Sequence, residues 1–128
     1  MSDSTIISLE SVSRSYEMGG ETVSPLRCID WSLSKGKFVA IVGRSGSGKT
    51  TLLNIMGGLD LPSSGKVLFE GSDLSLMNQR ELLNVRRHKV GFVFQSFGLL
   101  PLLSAYENVE LPLRISGVKV GERKKRTL

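Results

Sequence analysis

The chain has 128 residues, of which 40% are hydrophobic and 23% charged, and its net charge at pH 7 is +5. These values are ordinary for one globular domain, and the single cysteine, Cys28, excludes an internal disulfide framework and fits a reducing compartment. No apolar run approaches the ~20 residues that cross a bilayer, and residues 1–4 predict no signal peptide, so any membrane role is expected to come through a partner.

The first third of the chain has the pattern of two extended segments. An apolar edge begins at Ile6, and residues 17–21 resemble a hairpin connection because they contain two adjacent glycines. A second strand is predicted from Thr22 to Leu33, where apolar residues alternate. Trp31 is most simply a core residue of that sheet.

A glycine-rich loop follows between a predicted strand and a predicted helix. Residues 37–42 form a short apolar run that fits a strand buried on both faces of a parallel sheet. Residues 43–50 read G-x-x-x-x-G-K-[ST], the pattern of a phosphate-binding loop. Residues 51–56 have apolar positions at helical spacing. Strand, loop and helix therefore come in the order that phosphate binding requires.

The residue types in this loop suit a triphosphate. Glycines and serines let successive backbone N–H groups point into one concavity at a helix N-terminus. Lys49 supplies a mobile positive charge for the β- and γ-phosphates, and the Thr50 hydroxyl is placed to ligate Mg²⁺. The alternative is a Gly/Ser turn that happens to end in Lys-Thr, but the flanking strand and helix favour the nucleotide site.

The middle of the chain alternates turns with short elements. Residues 61–65 predict a turn, residues 66–70 a strand, and residues 75–87 a polar, basic helix. His88 has no acidic or cysteine neighbour in sequence, so it carries no metal signature and reads as a solvated helix end. Residues 90–94 are a third candidate core strand.

Gln95 directly follows that third run. A polar residue past the carboxyl end of a buried strand lies where α/β sheets place ligand contacts, so Gln95 could reach a metal or a water near the phosphates. A plain loop glutamine is the alternative on this spacing alone.

A capping box formed by Ser104 and Glu107 should start a further helix, which Pro112 is expected to kink or end. The basic tail, residues 119–128, reads as a solvated charged face, with nucleic-acid binding as the less favoured interpretation.

These motifs together resemble the ATP-binding subunit of an ABC transporter. Residues 43–53 are similar to the Walker A segment of that superfamily, and residues 54–65 to the segment that follows it in the lipoprotein-release and macrolide-export branch. Residues 86–101 resemble the Q-loop region of the same branch, and residues 107–113 continue the match. The Q-loop stretch is far more specific than the phosphate loop.

The resemblance implies roles for particular residues. Tyr16 matches the A-loop aromatic that stacks on adenine, although a hairpin tyrosine packed on the sheet is the alternative. Gln95 matches the Q-loop glutamine, which contacts Mg²⁺ and the attacking water, so Lys49 and Gln95 are the expected catalytic residues and Thr50 and Gln95 the expected metal ligands. The expected ATP contacts are Tyr16, Gly43, Ser45, Gly46, Ser47, Gly48, Lys49, Thr50 and Thr51.

The resemblance also implies an architecture and partners. The fold class is α/β, the N-terminal part of a P-loop ATPase core with a small antiparallel β subdomain. Residues 1–36 would form the antiparallel part, 37–103 the core through the Q-loop, and 104–128 the start of a helical subdomain. The 96–103 loop would contact a transmembrane permease subunit, which places the protein in the cytoplasm at the inner face of the membrane. The intact domain is expected to form a homodimer, with no nucleic-acid partner.

The sequence departs from the family in what it omits. It contains no Leu-Ser-Gly-Gly-Gln signature, no Walker B strand ending in Asp-Glu, and no histidine after the Q-loop. We therefore expect an N-terminal piece that is inactive by itself, since the carboxylate that activates water is missing. A non-catalytic nucleotide-binding module is the alternative, and a small-molecule kinase is disfavoured by the Q-loop match.

Overall fold

Two long strands form the frame of the N-terminal half of the chain. In the computed structural model, which describes residues 4–128, β1 (Thr5–Met18) and β2 (Glu21–Ser34) pair antiparallel along most of their length. They connect through residues 19–20, as the sequence predicts for the 17–21 segment. Residues 1–3, which hold most of the segment considered for a signal peptide, lie outside the described residues.

The described chain separates into two units, which adjoin in sequence between Leu82 and Leu83. The first unit contains β1 and β2 and three further elements, which are α1 (Lys49–Met56), β3 (Ser64–Phe69) and β4 (Ser72–Asp73). A 3₁₀ turn, Leu74–Leu76, follows β4. The remaining helices are α2 (Gln79–His88), which spans the boundary, and then α3 (Ala105–Ile115) and α4 (Val120–Thr127) of the second unit.

The sheet of the first unit is antiparallel throughout, with the order β2-β1-β3-β4. Leu9 in the central strand pairs with Trp31 on one side and with Val67 on the other. Leu9 and Val67 are buried, whereas Trp31 is half-buried. Directly paired residues point to the same face of a sheet, so the buried pair of Leu9 and Val67 places the core on that face.

The core lies between that face and α1. Ile55 and Met56 from the last turn of α1 are buried. This packing stabilises a helix that is too short to be stable by itself. The buried apolar residues of the described chain are Leu9, Val12, Leu26, Ile55, Met56, Val67, Phe69, Leu74 and Leu82.

Two apolar runs that the sequence predicts as buried strands are not strands. Residues 37–42 and 90–94 have no strand hydrogen bonding, and Phe38 and Val93 are fully exposed. A strand needs a hydrogen-bonding neighbour, and no segment within residues 4–128 pairs with either run. The predicted strand at 66–70 is confirmed to within two residues as β3.

The second unit is built around α3 and α4. The side chain of Ser104 and that of Glu107 form the predicted capping box at the start of α3. Pro112 does not end this helix, which continues to Ile115. Glu110 of α3 and Arg123 of α4 form an ion pair at 2.9 Å that joins the two helices.

In residues 4–128, no helix combines the length and the apolar character that crossing a membrane requires.

Candidate nucleotide-binding site

The predicted phosphate loop wraps around the ammonium group of its own lysine. The Lys49 Nζ donates hydrogen bonds to the carbonyl oxygens of Gly43 (2.8 Å) and Arg44 (2.6 Å) and to the Ser47 Oγ (3.3 Å). The Ser47 amide closes a turn by donating to the Arg44 carbonyl at 3.2 Å. The loop therefore encircles a positive charge.

Two glycines give the loop a conformation that other residues adopt only with strain. Gly46 has φ +78° and Gly48 has φ +89°, both in the left-handed region. Gly48 also lies against β2, since a Cβ there would be 2.5 Å from the Pro25 carbonyl oxygen and 3.1 Å from Leu26. The glycine at 48 therefore lets the loop seat directly on the hairpin.

The N-terminus of α1 presents amides without a side-chain cap. Gly48 is the N-cap residue and makes no side-chain capping bond, and the first turn carries no acidic residue. Leu52 is the first amide to donate within the helix, to the Gly48 carbonyl at 2.8 Å. The amides of residues 49–51 have no intrahelical acceptor by construction, so this end of α1 combines donors with the positive end of the helix dipole.

The remaining predicted contacts in the loop are accessible. Ser45, Ser47 and Thr50 are exposed, and Thr51 is partly exposed. Thr50 is in the first turn of α1, directly after Lys49. A hydroxyl beside a positively charged amide-lined loop is a suitable oxygen ligand for Mg²⁺ that also contacts phosphate oxygens. The donor set thus fits a magnesium-bound phosphate chain.

Tyr16 lies near the end of β1 in a cluster with Arg14 and Asp60. The Tyr16 hydroxyl donates to Asp60 Oδ2 at 2.7 Å. Arg14 makes a bidentate ion pair with the same carboxylate, at 3.0 Å from Nε to Oδ2 and 2.8 Å from Nη2 to Oδ1. The Arg14 guanidinium carbon also lies 4.4 Å from the centre of the Tyr16 ring, which is cation–π distance.

This cluster keeps Asp60 ionised. Partial burial acts to raise the pKa of the Asp60 carboxyl, but hydrogen bonds from Tyr16 and the Leu61 amide and the charge of Arg14 outweigh it, and the pKa is lowered. The carboxylate is therefore the anionic centre of a small hydrogen-bonded network.

Gln95 belongs to the second unit. It is exposed and lies in a turn that directly follows residues 90–94. The loop after it exposes apolar side chains, with Phe97 85% and Leu102 97% exposed. Its arrangement relative to the phosphate loop of the first unit stays a prediction.

The structure thus brings most of the predicted residues together within the first unit. Residues 43–51 form one loop and helix start, which touches β2 at Pro25 and Leu26. Leu26 is the cross-strand partner of Arg14, two residues before Tyr16 on β1. The Arg14–Asp60 pair was missed from the sequence, because 46 residues separate its members. The alternation of Arg14 with Tyr16 on one strand was the only local signal.

Most of the chain is similar to known proteins. Residues 26–127 match the family profile described as ABC transporter. An uncharacterized ABC transporter ATP-binding protein of Thermotoga maritima is 50% identical over 121 residues, covering 94% of this chain and 52% of the relative. The macrolide export ATP-binding/permease protein MacB of Wolinella succinogenes is 48% identical over 94% of this chain and 19% of its own length.

A solved structure is similar over almost the whole chain. It is the dimeric post-hydrolysis state of the ATP-binding cassette MJ0796 bound to ADP and Pi, with a TM-score of 0.89, 43% identity, and coverage of 95% of this chain and 54% of that one. MJ0796 is a protein of Methanocaldococcus jannaschii. The chain spans about half the length of the Thermotoga relative and of this cassette.

Proposed function

The chain belongs to the ABC transporter family, and from this we propose that it is the N-terminal part of an ATP-binding subunit that drives transport through a membrane partner. Its own contribution would be to bind Mg·ATP through residues 43–51. Relatives at 44–50% identity carry ATP-binding names, and MacB is named for macrolide export. The lipoprotein-release or export branch is the transport class that this resemblance favours.

The observation that carries the proposal is the loop closed around Lys49. Its ammonium group lies within hydrogen-bond distance of three oxygen atoms of the loop, so the charge is held over the concavity. The amides of residues 49–51 add donors at the same helix end. A polyphosphate chain is the biological anion that such a loop accommodates best.

Each further residue would have a defined task around bound nucleotide. Gly43, Ser45, Gly46, Ser47 and Gly48 would offer backbone donors, and Thr50 would hold Mg²⁺ with Gln95. Tyr16 would stack on the adenine. Bound ATP would supply the phosphoryl-transfer chemistry, in which Lys49 stabilises charge on the phosphates and Gln95 orients water.

The transport reaction would need parts that this sequence does not contain. Hydrolysis would depend on a signature, a Walker B carboxylate and a second subunit in a head-to-tail dimer, so we propose that residues 1–128 alone bind nucleotide without turning it over. The exposed apolar side chains of the 96–103 loop suit contact with a permease subunit. That contact would hold the protein at the cytoplasmic face of the membrane.

The test is Mg·ATP affinity in Lys49→Ala, with Lys66→Ala as the matched control. Lys66 is an exposed lysine of β3 in the same unit, so the control removes the same charge away from the loop. A charge-assisted hydrogen bond contributes about 1.5–3 kcal/mol, which predicts about 10- to 150-fold weaker binding in Lys49→Ala by isothermal titration calorimetry. Equal affinities of the two variants would refute the assignment of the loop.

A further inference from the structure

The Asp60 carboxylate connects the predicted adenine contact to the helix that begins at the phosphate loop. It accepts hydrogen bonds from the Tyr16 hydroxyl at 2.7 Å and from the Leu61 amide at 2.8 Å, besides its two contacts with Arg14 at 2.8 and 3.0 Å. Four donors thus meet one carboxylate that is about three-quarters buried, with 26% of its side chain exposed.

Asp60 is held firmly at the far end of α1. The amides of Leu59 and Asp60 both donate to the Asn54 carbonyl, at 2.8 and 3.2 Å, and so close the chain onto the last turn of the helix. The first residue of α1 is Lys49. A helix of this length is stiff, with a rise of about 12 Å over eight residues. The position of Asp60 is therefore fixed relative to the phosphate loop.

The other end of the connection is the Tyr16 ring. A tyrosine side chain on a strand can rotate about two torsion angles, and here contacts to its hydroxyl and to one face of its ring restrict both rotations. The hydroxyl is bonded to Asp60, and the Arg14 guanidinium lies over one ring face at 4.4 Å. The ring remains partly exposed, and the face away from Arg14 is the one that a planar base could cover.

We propose that Asp60 is a positioning residue for the purine base, acting through Tyr16 and Arg14 rather than by touching nucleotide. Its carboxylate fixes the ring orientation and holds Arg14 over one face, so that the other face is presented to the base at a set distance from the phosphate loop. The Tyr16 side chain is thus already ordered in the protein, so binding of the base costs less conformational entropy, which is how preorganisation raises affinity. This inference rests on the proposed function.

If Asp60 positions the base, its removal should reduce only the part of the binding affinity that the base contributes. Stacking of a base on an aromatic side chain contributes a few-fold to some hundredfold in affinity, and loss of ring order should forfeit part of it. We expect Asp60→Ala to weaken Mg·ATP binding about fivefold, which is about 1 kcal/mol at 1.4 kcal/mol per tenfold. Binding of magnesium tripolyphosphate, which has no base, should stay within about twofold of the unsubstituted chain.

Two further variants separate positioning from folding. Tyr16→Phe retains the ring and deletes only its bond to Asp60, and Asp60→Asn retains the side-chain shape, so both test the inference even where Asp60→Ala does not fold. Both should lower ATP affinity and leave tripolyphosphate affinity unchanged. Glu110→Ala is the matched control, since it breaks an arginine–carboxylate pair of comparable exposure in the second unit and should change neither affinity.

The outcomes discriminate this inference from the proposed function. Equal weakening of ATP and tripolyphosphate binding in the Asp60 variants would overturn the positioning role, as would unchanged ATP affinity in all three variants. If Lys49→Ala still weakens both ligands in those cases, the nucleotide site survives and only the role of Asp60 falls. If the unsubstituted chain binds neither ligand, the proposed function and this inference fall together.

Discussion

Substituting Gly48 by alanine tests how closely the phosphate loop is seated on the hairpin. The position has φ +89°, and an added Cβ would be 2.5 Å from the Pro25 carbonyl oxygen. The left-handed conformation costs a non-glycine residue about 1–2 kcal/mol. Crowding against a backbone atom that cannot rotate away adds about 1–3 kcal/mol. We therefore expect Gly48→Ala to lower the free energy of unfolding by about 2–5 kcal/mol.

Gly46→Ala is the matched control for this substitution. Gly46 has φ +78°, similar to that of Gly48, but nothing lies within 4 Å of its added Cβ. It should therefore lose only the conformational contribution, about 1–2 kcal/mol. The difference between the two variants isolates the contact with β2 from the strain of the backbone.

The assay is urea unfolding followed by fluorescence of Trp31, the single tryptophan, which lies on β2 of the same unit. The midpoint should fall further in Gly48→Ala than in Gly46→Ala, with an unchanged dependence on urea. Equal midpoints would show that the loop does not rest on Pro25, and the described position of α1 against the hairpin would be wrong.

Two further predictions concern the second unit. Hydrogen bonds from the Ser104 side chain and backbone lower the pKa of Glu107. The capping box therefore stabilises α3 fully at pH values above the carboxyl pKa of the unfolded chain, and this stabilisation is lost as the pH falls through the carboxyl pKa of the folded chain. Amide protection factors in α3, corrected for intrinsic exchange, should drop on acidification, and Glu107→Gln should abolish that pH dependence. The Asn108 Oδ1 accepts a hydrogen bond from the Leu100 amide, and its Nδ2 donates one to the Leu103 carbonyl. A hydrogen bond contributes about 0.5–1.5 kcal/mol, so Asn108→Ala should speed amide exchange at Leu100 by up to about tenfold. Equal rates would show that the 96–103 loop is held by other contacts.

Local patterns predicted the parts of this fold that depend on neighbours in sequence. The hairpin at residues 17–21, the helix after the phosphate loop and the capping box at Ser104 each follow from residue types within one turn. The prediction that residues 37–42 and 90–94 form strands was wrong in this chain. A strand needs a hydrogen-bonding partner, and the local sequence pattern does not show whether one is present. The prediction that Pro112 ends the helix was wrong, since α3 continues to Ile115, whereas a kink at Pro112 stays a prediction.

In the candidate site too, the residues that are contiguous in sequence could be predicted, and those that only folding brings together could not. The loop at residues 43–50 is contiguous, so its residues could be named from the motif alone, and the structure shows Lys49 folded over it. The network of Arg14, Tyr16 and Asp60 joins residues 44 and 46 positions apart, and no spacing rule connects them. Contacts of that kind are visible only after the chain has folded.

The central claim is that the amides of residues 46–51 bind a polyphosphate, and the direct measurement is an amide NMR titration of the chain with a non-hydrolysable Mg·ATP analogue. We expect the largest changes in chemical shift to fall on residues 46–51, with a second, smaller set around Tyr16. Tripolyphosphate should reproduce the first set and not the second. Shift changes that leave residues 46–51 unaffected while other segments respond would contradict the claim.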